Sequence, residues 1–294
     1  MEVTTVQKYI VILGGDKREL IMGNILEEQG FNLLYFGFEN TGKDNKYSLI
    51  EALTLGDIII APLSGIDNNG KVKAHYSHEE IILTIDNLFK IRPGSLFISG
   101  RIPDAIKNIL TSKNVIQIES ANRSDLACLN AIPTAEGAIQ LAMEKSEITI
   151  YESKCLVLGF GRCAKALAIK LAALGAEVFV AARNSSAVAE AKIYEHNSFN
   201  LNKLNAVSTK LADFDFIFNT IPALILTENI IQKMSNSSLL IDLASYPGGI
   251  DTDAAKKFSI PFIHALGLPG KVAPISAGRI LASVYLPLIL NNFG

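Results

Sequence analysis

Cysteine is scarce in this chain. Cys128, Cys155 and Cys163 are the only three among 294 residues, and they are scattered without metal-ligand spacing. That argues against a disulfide framework and for reduced thiols in the cytoplasm. An excess of either charge is also missing, since 27 basic residues face 29 acidic ones and leave a net charge of -2. Nothing therefore marks a nucleic-acid or anionic-membrane partner. No apolar stretch reaches the ~18 uninterrupted residues of a membrane span. The segment from Ile280 to Leu290 contains Ser283 and Pro287 and reads as a buried helix. The opening residues Met1 to Lys8 lack the basic segment, apolar run and small-residue cleavage site of a signal peptide. Short-period repeats and low-complexity tracts are absent. The expectation is a soluble cytoplasmic protein whose ligand must be read from local sites, with self-association left open.

What the chain does have is length and apolar content: 294 residues, 49% of them hydrophobic, enough for two domains of roughly 150 residues each. Short apolar runs alternate with helical patterns throughout, the mark of parallel sheets joined by crossover helices. The first series offers strands at 9–13, 32–36, 57–61, 95–99 and 115–118, and the second at 155–158, 177–181, 214–218, 239–242 and 261–264. Ser77-His78-Glu79-Glu80 has the spacing of a capping box and predicts a helix through Ile81, Ile82 and Ile85. Pro133 suits the first turn of another helix running to about Lys145. The expected fold class is α/β with two doubly wound parallel-sheet domains. Residues 1–145 plus 275–294 form a flavodoxin-like substrate domain and 146–274 a Rossmann dinucleotide-binding domain. The closing helix is assigned to the first domain by analogy with two-domain dehydrogenases.

The sharpest motif is Gly159-Phe160-Gly161-Arg162-Cys163-Ala164, a G-x-G-x-x-A turn between a strand and an alanine-rich helix. Gly159 allows the tight turn and Gly161 lets backbone approach a diphosphate. Ala164 keeps helix and strand close, with the helix N-terminus facing the phosphates. About 20 residues on, NAD enzymes carry an acid for the ribose 2′-hydroxyl. Here that position reads Ala182-Arg183-Asn184-Ser185-Ser186, without a carboxylate. A guanidinium fork with nearby hydroxyls suits a 2′-phosphate, so the expected cofactor is NADP. Gly14-Gly15-Asp16 closes the first strand, followed by Lys17-Arg18-Glu19. It lacks the third small residue and reads as a plain strand-helix turn.

Loops after the other strands face the same edge. Thr220, Ile221 and Pro222 follow one strand, Ala244 and Ser245 a second, and Gly267 and Leu268 the last; all except Ser245 are assigned to the cofactor. With Asn-Ala-Ile-Pro-Thr-Ala-Glu-Gly from Asn130 and Gly-Leu-Pro-Gly from Gly267, the chain resembles the dipicolinate synthase A subunit family of spore-forming bacteria over nearly its whole length. Asp242-Leu243-Ala244-Ser245 with the following Pro247-Gly248-Gly249 also looks like the nicotinamide-side loop of alanine dehydrogenases. The resemblance implies oxidation of dihydrodipicolinate, or a close lysine- and diaminopimelate-pathway precursor, to pyridine-2,6-dicarboxylate during sporulation. It also implies a partner, a flavoprotein-like B subunit.

Such a substrate carries two carboxylates and calls for cations and hydroxyl or N–H donors. The candidates are Arg123 first and Arg101 second, with Ser64, Ser99, Asn130, Thr134 and Ser245 on loops expected to face the same cleft. Glu136 is the candidate base, or the group that orients Arg123; a carboxylate early in a helix also simply complements its dipole. His75 and His78 stand three apart without a third ligand of suitable spacing, and His264 ends a strand as an imidazole. No His–Asp pair is evident. Two rival functions stay open: another small-carboxylate dehydrogenase of the alanine or shikimate kind, and a nucleotide-binding protein with a regulatory role.

Overall fold

A computed structural model describes residues 8–43, 47–204 and 211–293; the opening segment through Gln7 lies outside the described residues. The chain divides into two compact units, Met1–Leu129 with Pro274–Gly294, and Asn130–Ala273.

Unit 1 begins with β1 (Tyr9–Leu13), α1 (Lys17–Glu28), β2 (Asn32–Phe36), α2 (Leu49–Leu55) and β3 (Ile58–Ile60). A hairpin of β4 (Lys71–Val72) and β5 (Ile81–Ile82) follows. Then come α3 (Ile85–Leu88), β6 (Leu96–Ser99), α4 (Asp104–Ser112), β7 (Ile116–Glu119) and the start of α5 (Ser124–Glu144). Five strands make a parallel sheet in the order β2-β1-β3-β6-β7, the flavodoxin-like order. The period-two alternation of β1 builds both faces. Val11 and Leu13 enter one core and Ile10 and Ile12 the other, all four fully buried. Asp16 starts α1 with a capping box closed by Glu19.

Unit 2 contains β8 (Lys154–Leu158), α6 (Arg162–Ala173), β9 (Glu177–Ala182), α7 (Ser185–Ile193) and β10 (Asn197–Asn200). It continues with β11 (Phe216–Asn219), α8 (Glu228–Ile231), β12 (Leu239–Asp242), α9 (Thr252–Lys257), β13 (Phe262–His264) and α10 (Leu268–Val272). Its sheet runs β10-β9-β8-β11-β12-β13, all parallel, which is the Rossmann order 3-2-1-4-5-6. Cys155 and Val157 face one core while Leu156 and Leu158 face the other.

The closing helix α11 (Pro274–Phe293) belongs to unit 1. By length and composition it could cross a membrane, yet Leu281, Ala282, Tyr285 and Ile289 are buried with Met22 and Leu26 of α1. Burying each such large apolar side chain contributes about 1.5–3 kcal/mol, which fixes the helix to that face.

Four local expectations need correction. Ser77–Glu80 does not open a helix: Ser77 Oγ accepts only the near N–H of Glu79, and Ile81 and Leu83 are buried while Ile82 is exposed, a strand period. The helix starts after Thr84, whose hydroxyl accepts the Asn87 N–H. Pro133 lies inside α5 rather than at its first turn. Having no N–H, it leaves the Leu129 carbonyl without its usual helical donor, and the two units divide at that residue, sixteen positions before the expected boundary. The edge strand β10, Asn-Ser-Phe-Asn, is too polar to have registered as a strand.

Candidate active site

The turn between β8 and α6 is shaped as its glycines require. Gly159 has φ +96°, and a Cβ there would lie 2.5 Å from Thr220 Oγ1. That hydroxyl donates to the Leu158 carbonyl at 2.8 Å, so the end of β11 braces the turn. Gly161 caps α6 in extended conformation with no side-chain hydrogen bond, and nothing lies within 4 Å of a Cβ built on it. The first-turn N–H groups therefore face open space, the arrangement that receives a diphosphate. Ala164 is fully buried beneath them. Phe160 is buried too, edge-on to His196 at 6.3 Å. Arg162 is exposed, while burial pushes the half-buried Cys163 thiol above its ordinary pKa, against a nucleophilic role. The residues present fit a dinucleotide.

At the end of β9, Ala182 is buried, and Arg183, Asn184 and Ser185 are exposed. Asn184 Oδ1 is engaged in capping α7, accepting from the N–H and hydroxyl of Ser186, both at 2.9 Å. The Arg183 guanidinium forms no ion pair among the described residues, whereas its carbonyl is held by Asn200 Nδ2 of β10 at 3.1 Å. The carboxylate of α7, Glu190, is engaged with Lys165 at 2.6 Å. Asn200 is thus a supporting residue that the sequence pattern concealed along with its strand.

A buried polar network joins the ends of β11, β12 and β13. Asp242, fully buried, accepts from Asn219 Nδ2 at 2.8 Å, Gly249 N–H at 3.0 Å and Ala244 N–H at 3.1 Å. Asn219, also fully buried, bonds the Ile221 peptide through both its oxygen and its nitrogen. The loops carrying Thr220, Ile221 and Pro222 and carrying Ala244 and Ser245 are shaped by these two side chains. His264 Nδ1 stands 3.6 Å from Asp242 Oδ2, so a His–Asp pair does exist. Its members are 22 residues apart and meet only through β12–β13 register. The available signal was a polar residue ending each apolar strand, Phe-Ile-Phe-Asn and Leu-Leu-Ile-Asp. Gly267 at φ +69° leads into α10, and Leu268 is buried.

The substrate candidates divide between the units. In unit 1, exposed Ser64 and Arg101 line a cavity of about 420 Å³ together with Asp67, Lys71 and Lys73. Ser99 is fully buried; its hydroxyl donates to the Arg101 carbonyl at 3.1 Å, which takes it out of reach of a ligand. Arg123 is held by Asp125 at 3.1 and 2.6 Å, not by Glu136. In unit 2, Thr134 donates to the Asn130 carbonyl at 2.7 Å, and Asn130 Oδ1 is buried without a partner. Ser245 is exposed. Glu136 lies thirteen residues into α5, exposed, and pairs with Lys170 of α6 at 2.8 Å.

Comparison with known proteins then decides the family. The chain is 36% identical over 289 residues to the dipicolinate synthase A subunit of Bacillus subtilis (strain 168), with 95% of each chain covered. The chain belongs to the dipicolinate synthase A subunit family. A family model described as the N-terminal domain of the dipicolinate synthase A subunit matches residues 9–121, and one described as shikimate / quinate 5-dehydrogenase matches residues 140–263. The crystal structure of the dipicolinate synthase A subunit from Bacillus halodurans superposes with a TM-score of 0.87 at 35% identity, covering 96% of this chain and 97% of that one. A D-lactate dehydrogenase from Escherichia coli, at a TM-score of 0.60 and 13% identity over 95% of both chains, shares the fold. Members of the dipicolinate synthase A subunit family thus carry a dehydrogenase-type Rossmann domain, here unit 2.

Proposed function

We propose that this chain is an NADP-dependent dehydrogenase that converts dihydrodipicolinate, or a close precursor of the lysine branch, to dipicolinate in the cytoplasm of a sporulating cell. The observation that carries the reading is the turn open at Gly161, followed by an exposed Arg183 where an acid would repel a 2′-phosphate. The first-turn N–H groups of α6 would hold the diphosphate, and Arg183 with Ser185 the 2′-phosphate. The nicotinamide, when bound, supplies the hydride acceptor. The substrate gives up one hydride and one proton, and the gain of an aromatic pyridine ring supplies much of the driving force. Positioning and carboxylate recognition then matter more than a strong base. In this reading unit 2 takes the cofactor and unit 1 the dicarboxylate. A flavoprotein-like B subunit works beside the chain, as the lettered names of its relatives suggest.

The test is NADPH formation from freshly generated dihydrodipicolinate, followed by absorbance with and without the B subunit. Turnover that requires this chain and prefers NADP supports the reading. Turnover of alanine or shikimate but not of the pyridine precursor would overturn it in favour of another small-carboxylate dehydrogenase. Tight NADP binding with no turnover under any condition would instead give the chain a regulatory role.

A further inference from the structure

The turn after β1, read from sequence as plain, holds an unusually prepared arginine. Arg18 presents Nε and Nη2 to Asp16, with contacts of 2.9, 3.2 and 2.8 Å, and its side chain is only 12% exposed. Burial alone would raise the Asp16 carboxyl, but the Arg18 hydrogen bonds outweigh it and hold the pKa low. Beneath this pair, fully buried Glu19 accepts the N–H groups of Asp16 and Leu63 at 2.9 and 3.0 Å, tying the turn after β1 to the loop after β3. In a sheet of this order the gap between β1 and β3 is the switch point, where ligands bind beyond the strand ends.

Arg123, in the same unit, repeats the geometry. Its Nε and Nη2 meet Asp125 at 3.1 and 2.6 Å. Among the described residues Nη1 of neither arginine has a protein partner, so each guanidinium is aligned along one edge and open along the other. Both arginines border one core cluster of unit 1. Met22, a turn along from Arg18 on the same face of α1, and Leu126, in the first turn of α5 just after the extended Arg123, join the core cluster that contains Tyr285. The Tyr285 hydroxyl donates to Ser120 Oγ at 2.7 Å, and the Ser120 carbonyl accepts the Arg123 N–H at 3.1 Å. Burial raises the pKa of that phenol, and the positive charges of Arg18 and Arg123 both work against the rise.

We propose that Arg18 and Arg123 form a two-guanidinium site on unit 1 that receives the two carboxylates of a small planar dicarboxylate, one at each open edge. The inference rests on the proposed reaction for its substrate class and deepens it by naming Arg18. The aspartates set the orientation of the forks and offset part of their charge, so selectivity comes from geometry. Two forks, one held and one able to adjust, favour a 2,6-dicarboxylate over the same ring with one carboxylate. The Arg123–Asp125 pair is largely exposed and exchanges readily, while Arg18 is the fixed member.

The experiment titrates pyridine-2,6-dicarboxylate and pyridine-2-carboxylate into the full chain by calorimetry. The wild type should prefer the dicarboxylate by about 30-fold, and Arg18→Gln or Arg123→Gln should cut that preference to about threefold or less. Because Arg18→Gln leaves Asp16 without its partner, Arg18→Lys and Asp16→Asn/Arg18→Gln are measured beside it. NADP affinity should be unchanged in every variant, reporting an intact unit 2. A wild type without preference, or a preference that survives in all the arginine variants, overturns the proposal. Arginine-dependent selectivity without turnover of dihydrodipicolinate would sink the proposed reaction and leave this site standing. Turnover with arginine-independent selectivity would do the reverse.

Discussion

Two glycines two residues apart should respond in opposite ways to one added methyl. At Gly161, φ is -82°, an ordinary value for alanine, and the new Cβ meets no atom within 4 Å. Gly161→Ala should therefore cost at most about 1 kcal/mol, the penalty of alanine at a helix cap. The same methyl stands where a diphosphate must approach the first-turn N–H groups of α6. Losing two charge-assisted backbone hydrogen bonds, at about 1.5–3 kcal/mol each, would weaken dinucleotide binding by roughly two to four orders of magnitude. Gly159→Ala is the contrasting case. Its φ of +96° and a Cβ only 2.5 Å from Thr220 Oγ1 and 3.2 Å from Ile221 Cγ1 force the turn to move. About 2–4 kcal/mol of stability should be lost with the Thr220–Leu158 bond. NADPH fluorescence titration and thermal denaturation, run on both variants, give the two readouts. A Gly161→Ala protein that binds NADPH within threefold of wild type would refute the reasoning, because no diphosphate then approaches that cap.

Three further outcomes follow from the same geometry. Arg183→Ala should weaken NADP about 30-fold and NAD less than threefold in parallel titrations; equal losses would remove the phosphate fork. Asp242→Ala should destabilise unit 2 by about 3–5 kcal/mol, since it strands the N–H groups of Ala244 and Gly249 and the Asn219 amide in a buried place. Hydrogen exchange of the β12 amides would show the effect, and unchanged protection would contradict it. Burial lowers the His196 pKa below 6.5, so the folded chain keeps it neutral. The stability it contributes is present above pH 6.5 and is lost as pH falls toward the lowered folded value. Chemical denaturation across that range should show the slope in wild type and a shallower one in His196→Gln.

The architecture was legible because most strands of the two parallel sheets are short apolar runs ended by turn chemistry, and the Gly159–Ala164 motif sits where a βαβ unit requires it. Pattern misled where several structures share one signature. Ser77–Glu80 has the letters of a capping box, but pairing with Lys71–Val72 made its following isoleucines a strand. Pro133 is a common first-turn residue, and only the packing of α5 carries a helix through it. The site residues that escaped notice are those whose partners lie far away in sequence or whose neighbours look ordinary. Asp242 meets His264 through strand register, Asn200 lies on a polar edge strand, and Arg18 follows a glycine turn without a nucleotide-binding spacing. Glu136 invited a catalytic role by its place in a recognisable segment, while in the fold it pairs with Lys170.

The position of α11 has a consequence for synthesis. Unit 2 is one uninterrupted segment, 130–273, whereas unit 1 is assembled from two segments separated by all of unit 2. On the ribosome the Rossmann unit can therefore complete its core first. The hydrophobic face of α1, with Met22 and Leu26, stays uncovered until residues 274–293 emerge. During that interval the nascent polypeptide carries an open apolar face, and a premature stop before Tyr285 would leave it permanently uncovered.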